Sequence, residues 1–194
     1  MKLGPKSTLA DVAIEVGDAL RRAGIRAVLT GGACASFYSV GAYHSQDADF
    51  VLLGACGAAE LDGAMGSLGF GRSRGCYVHP GVPFVIEFPA GPLGIGEDFQ
   101  IRPVWKRRRR ARMLALSATD SCRDRLAAFY HWKDRQALAA AVAIALRQRV
   151  AFAKVKRWSA AEGHPEAYER FVAELALARR ARRTGAKQRI RPGN

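Results

Sequence analysis

The sequence predicts an α/β (α+β) fold, a mixed sheet with flanking helices followed by a helical C-terminal part. Up to about residue 117, short runs of alternating hydrophobicity are interleaved with segments of three- and four-residue periodicity; from 118 onward only the helical period is left. The charge divides near the same place. Residues 1–100 carry 7 basic and 10 acidic side chains, a net −3, whereas residues 101–194 carry 24 and 7, a net +17. A length of 194 residues supports one ordinary core and excludes two large domains, and 49% apolar with 25% charged residues excludes a largely disordered chain. The parts are an α/β domain over 1–117, a helical part over 118–183 and a basic flexible tail over 184–194.

Thr8 is the N-cap of a helix carrying Leu9, Val12, Ala13, Val16, Ala19 and Leu20, which Gly24 ends. Arg26 to Thr30 reads as a strand, and Gly31-Gly32 turns it into a second helix of about eight residues. Asp47 to Leu53 is a strand with Asp47, Asp49 and Val51 on one face and Ala48, Phe50 and Leu52 on the other. A weak helix over Gly57–Leu68 and a strand over Cys76–His79 follow. Pro83 to Phe88 is a clearer strand: Phe84, Ile86 and Phe88 share one face, Val85 and Glu87 the other. Pro89–Gly96 is a loop. Between Phe99 and Leu116 two short strands flank Lys106–Arg112, a run too charged to be buried and so expected at a hairpin tip or exposed edge. Thr119 or Ser121 caps the next helix, and the remainder reads as helices over about 120–133, 134–148, 150–161 and 165–183.

Several functional classes are disfavoured. Cys34, Cys56, Cys76 and Cys122 form no C-x-x-C pair and the four histidines are scattered, so zinc has no support and free thiols are expected. Acidic residues Asp11, Glu15 and Asp18 break any signal-peptide core, and the uncharged stretch 27–46 contains a glycine pair and several hydroxyl side chains, unlike a membrane span. A cytoplasmic protein is the expectation.

The chemistry concentrates in two places. Asp47 and Asp49, two apart on a strand, project from the same face with Cα atoms roughly 6.5–7 Å apart, a spacing that lets both reach one Mg²⁺ or bridge two. A glycine pair at a strand-to-helix turn lets a phosphate approach backbone N–H groups at a helix N-terminus. Together they describe a site for a nucleoside triphosphate with Mg²⁺ (or Mn²⁺). Each has a plainer reading, a solvated edge or a tight turn. Glu87 supplies a third acid, either for the metal that activates an attacking hydroxyl or as an ordinary solvent-facing residue. Lys133 lies on the apolar stripe of Leu126, Phe129, Tyr130, Ala137 and Ile144; it reaches a triphosphate if the helix continues there, and is exposed if the helix breaks with Asp134 capping a new one. Arg125, two turns earlier, is a second candidate for phosphate contact, and Ser36 or Ser45 offers a hydroxyl donor.

The segment GGACASFYSVGAYHSQDADFVLL with Glu87 on a later strand resembles the polymerase-beta-like nucleotidyltransferase superfamily, whose signature is a glycine turn, then D-x-D, then a separate acid. Within it the segment is most similar to the small prokaryotic group of AbiEii-type toxins, through Ser45, Asp47 and Asp49 and, more weakly, Lys133-Asp134 in DRLAAFYHWKDRQAL. The resemblance covers about residues 25–148. It implies a nucleotidyltransferase fold, with Asp47, Asp49 and Glu87 as catalytic metal ligands and Lys133 assisting. Gly31, Gly32, Ser36, Ser45 and Arg125 are the implied nucleotide-binding residues. The implied reaction moves an NMP group from an NTP to a hydroxyl acceptor. Ala33 stands where that group has Ser or Thr, and Tyr43-His44 where relatives often have Arg. The net +17 half favours RNA, such as tRNA, as acceptor over a cationic small molecule. A catalytically silent member, acting as a toxin–antitoxin component with a partner protein or as an RNA-binding module, is the alternative. Trp105, Trp132 and Trp158 are assigned to the core, with stacking on bases as the other reading.

Overall fold

The computed structural model describes residues 3–189, with side chains to Thr184. Its elements in chain order are α1 (Leu9–Arg22), β1 (Ala27–Leu29), α2 (Gly31–Ser39), β2 (Asp47–Leu52), α3 (Ala58–Gly66), β3 (Gly71–Ser73), β4 (Cys76–His79) and β5 (Val82–Glu87). After these come β6 (Val104–Arg108), β7 (Ala111–Ala115), α4 (Ala118–Trp132), α5 (Arg135–Ala145), α6 (Phe152–Ala161) and α7 (Pro165–Arg189). The α+β expectation holds. One seven-stranded sheet has the order β3-β4-β5-β2-β1-β7-β6 and mixed pairing.

Register determines what shares a face. β1 runs antiparallel to β2 with Leu29 opposite Phe50, and parallel to β7 with Leu29 opposite Ala115. β6 and β7 pair antiparallel, Lys106 opposite Met113. Ala48, Phe50, Leu29, Ala115 and Met113 therefore form one apolar face, and α1 lies on it so closely that a side chain at Gly17 would strike Met113. The opposite face carries Asp47 and Asp49. α2 packs between the sheet and the α4–α5 hairpin, and buried side chains from Leu3 to Leu175 make one continuous core. The helical part thus shares its core with the α/β part.

Thr8 caps α1 with a reciprocal bond to Asp11, as expected. The cap of α4 is Ser117, whose hydroxyl accepts from the Asp120 N–H, in place of Thr119 or Ser121. β3 has no counterpart among the expected strands, since Gly71-Arg72-Ser73 is exposed and has no hydrophobic alternation to reveal it. At the charged hairpin Arg109 and Arg110 form the tip, and Arg108 pairs with Asp11 at 3.0 Å. α7 continues through Arg189, beyond the expected end at 183; residues 190–194 of the expected tail lie outside the described residues. Trp158 is in the core, but Trp105 and Trp132 are 57% and 77% exposed. Their burial depends on strand order and a helix end, which local pattern does not encode. All four cysteines are free, and burial pushes the Cys34 and Cys122 thiols up to about 12.

Candidate active site

The antiparallel β1–β2 pair sets the end of β1 beside the start of β2, so the chain leaving Leu29 enters α2 next to Asp49. The Thr30 N–H donates to the Asp49 carbonyl at 2.9 Å and closes the corner. β5 runs parallel to β2 with Val85 abreast of Asp47 and Glu87 abreast of Asp49. Opposed residues share a face, so Glu87, distant in sequence, meets Asp47 and Asp49. Ligand oxygens of Asp47, Asp49 and Glu87 lie within 4.8 Å of one another, with both aspartates half-buried and Glu87 exposed.

The glycines are required by this approach. Gly31 adopts φ +62°, and a Cβ there would collide with the Asp49 carboxylate; a Cβ on Gly32 would strike Ser45 Oγ and come within 3.4 Å of the Tyr43 hydroxyl. No side chain caps α2, whereas Thr8, Ser117 and Asp134 cap α1, α4 and α5. The first N–H groups of α2 therefore face the carboxylate corner with no capping side chain of their own. Ser45 and Ser36 form a chain: the Ser45 hydroxyl donates to Asp47 at 2.6 Å, and the Ser45 N–H donates to the Ser36 hydroxyl at 3.1 Å. Both serines orient the D-x-D strand.

The electrostatics are unbalanced. Burial, then the charges of Asp47 and Glu87, push Asp49 up to about 6, with Arg125 opposing. Arg125 itself donates from Nε to Asp124 at 2.9 Å and pairs with it through Nη2 at the same distance. Burial works against its charge, but Asp124, Tyr43 and Asp49 outweigh that and raise its pKa. Such a trio of hard oxygen donors within reach of one point fits a divalent cation of the Mg²⁺ class.

Lys133 is not brought to this corner by a continuing helix. α4 ends at Lys133 in the left-handed conformation, φ +55°, and Asp134 accepts from the Gln136 and Ala137 N–H groups to start α5. The lysine is exposed, eight residues along from Arg125, roughly 12 Å by helical rise. Asp124 joins the site as the partner of Arg125, to which its sequence adjacency points, and Tyr43, in an irregular loop, comes beside Gly32 and Arg125 at the place where relatives often have Arg. Ala33 is buried on the inner side of α2.

No family model, curated protein or solved structure matches this chain.

Proposed function

We propose that the protein is a metal-dependent nucleotidyltransferase that moves an NMP group from an NTP to a hydroxyl acceptor, breaking the α–β phosphoanhydride bond and releasing pyrophosphate, with RNA, such as tRNA, as the acceptor class. The observation that supports this reading is the convergence of Asp47, Asp49 and Glu87 on a helix N-terminus that no side chain caps, where Gly31 and Gly32 make room for the close approach of Asp49 and Ser45. Asp47, Asp49 and Glu87 would hold Mg²⁺ or Mn²⁺, which when bound neutralises a triphosphate and acidifies a coordinated hydroxyl. The leading N–H groups of α2 bind phosphate oxygens, and the helix dipole favours their charge. Ser45 holds the Asp47 carboxylate in one orientation, Arg125 adds a positive charge beside Asp49, and exposed Glu87 accepts the proton of the attacking hydroxyl.

Ala33, which offers no hydroxyl to a triphosphate, favours the second reading: a catalytically silent nucleotidyltransferase-fold protein serving as a toxin–antitoxin component or RNA-binding module. Among the described residues no helix is long and apolar enough to cross a membrane. Titration with Mg²⁺ and a non-hydrolysable NTP separates the readings. Saturable binding that Asp49→Asn abolishes supports the enzyme, and no binding at millimolar nucleotide sinks it.

A further inference from the structure

Following the register outward from the carboxylates leads to an exposed aromatic group. Val51 is opposite Val28, Val28 opposite Leu114, and Leu114 opposite Trp105. Directly opposed residues point to the same side, so Trp105 on edge strand β6 stands on the same face of the sheet as Asp47, Asp49 and Glu87. Three strand spacings separate β6 from β2, about 14 Å at ~4.8 Å each. Arg107 and Arg112 are opposite one another and share that face, being two residues from Trp105 and Leu114. The Arg112 guanidinium carbon stands 5.5 Å from the Trp105 ring centroid. The segment from β5 to β6 passes over Val51 at Gly91, yet Trp105, Arg107 and Arg112 remain exposed.

We propose that Trp105 is a stacking platform for an unpaired base of single-stranded RNA, with Arg107 and Arg112 binding the adjacent phosphates. An exposed indole is costly to leave in water, and a flat π-face beside two guanidiniums matches the alternation of base and phosphate along a single strand. The other face of the hairpin is already engaged: Lys106 lies over the Tyr38 ring at 4.6 Å and Arg108 pairs with Asp11. Trp132, although more exposed, sits at a helix end beside His131 and Lys133 and has no arginine stacked on it among the described residues. The inference deepens the nucleotidyl-transfer reading by placing its acceptor, and rests on that reading only for the statement that the bound RNA is a substrate.

The test is fluorescence anisotropy of a short labelled oligouridylate over a salt series, with the full chain. Trp105→Ala should weaken binding about tenfold without changing the salt slope, Trp105→Phe should restore most of it, and Arg112→Gln should lower the slope by about one. Trp132→Ala should bind like the wild type. Wild-type affinity in Trp105→Ala, an equal loss in Trp132→Ala, or no binding by the wild-type protein at low salt overturns the proposal. So does loss of self-association in Trp105→Ala with RNA affinity unchanged, which would make β6 a protein contact edge. Assaying the wild-type chain in parallel for RNA binding and for NMP transfer separates the two readings: absence of transfer by the wild type with a Trp105-dependent affinity removes the enzyme and leaves the platform, whereas transfer with a Trp105-independent affinity removes the platform and leaves the enzyme.

Discussion

Two ionic clusters draw residues from α4, and they are built on opposite principles. In one, Arg123 is 1% exposed and bonds Asp120 at 2.8 Å and Asp98 at 2.6 Å, while Lys154 bonds Asp120 at 2.8 Å and the Trp158 ring covers the guanidinium. Two acids meet two cations. Burial alone would raise Asp120, but Lys154, Ser117 and Arg123 more than offset it, and the Arg123 bond draws Asp98 down as well. In the other, three acids converge and the nearby Arg125 gives its hydrogen bonds to Asp124. A cluster that neutralises itself holds the fold; one left with surplus charge has a preference for something absent from the chain. This difference supports, without reference to any relative, the proposal that the carboxylate corner binds a cation.

The comparison breaks first at Arg123. Arg123→Met removes the buried cation shared by Asp120 and the partly exposed Asp98, leaving Asp120 with Lys154 and Ser117 alone, and should cost about 3 kcal/mol in denaturant unfolding; a loss under 1 kcal/mol would show that the cluster is not structural. Gly31→Ala forces a residue into left-handed backbone, about 1–2 kcal/mol by itself, and drives a methyl into Asp49. It should reduce Mg²⁺ affinity at least tenfold by calorimetry, and an unaltered affinity would remove Asp49 from the metal set.

Asp49→Asn has the opposite sign. The folded pKa of about 6 lies above the ordinary 3.8, so the metal-free protein loses stability as pH rises between those values, and the substitution abolishes that loss. Asp98 and Asp120 are depressed, so their contribution is present above 3.8 and disappears as pH falls below it. Melting temperatures of metal-free protein at pH 8 should therefore be higher for Asp49→Asn than for the wild type, and the two should converge at pH 3. A lower value at pH 8 would contradict the surplus-charge account. The smallest effect belongs to Lys133. Lys133→Gly relaxes a left-handed residue at a helix end, is expected to stabilise by at most about 1 kcal/mol, and should leave NMP transfer unchanged; a large loss of transfer would return the lysine to the active site.

Asp47, Asp49, Gly31 and Gly32 were legible because period-two alternation fixes which side of a strand a residue faces, and a glycine pair at a strand end has few uses. Glu87 was legible as to face but not as to neighbour, since only the parallel β2–β5 register brings it abreast of Asp49. At Lys133 the sequence is compatible with both a continuing and a broken helix. An apolar stripe continues across a break when the two helices fold back on one core, so periodicity does not distinguish a bend from a straight helix, whereas Asp134 already carried the signal for a cap. The exposure of Trp105 follows from β6 being the last strand of the sheet, a property of the whole strand order and of no local segment.

The stem of α2 has a practical bearing on how the chain can be divided. The Tyr38 hydroxyl donates to the Leu116 carbonyl and the Gln148 side chain to the Tyr38 carbonyl, so the helix that opens at the glycine corner is sutured at its far end to the segments that enter and leave the α4–α5 hairpin. A fragment stopping at residue 117 would present the whole inner flank of α2 to water and should be recovered as aggregate. The gene is not a cassette of two exchangeable halves, and any tag, fusion or split-reporter junction belongs beyond α7 instead of at the border that the charge reversal suggests.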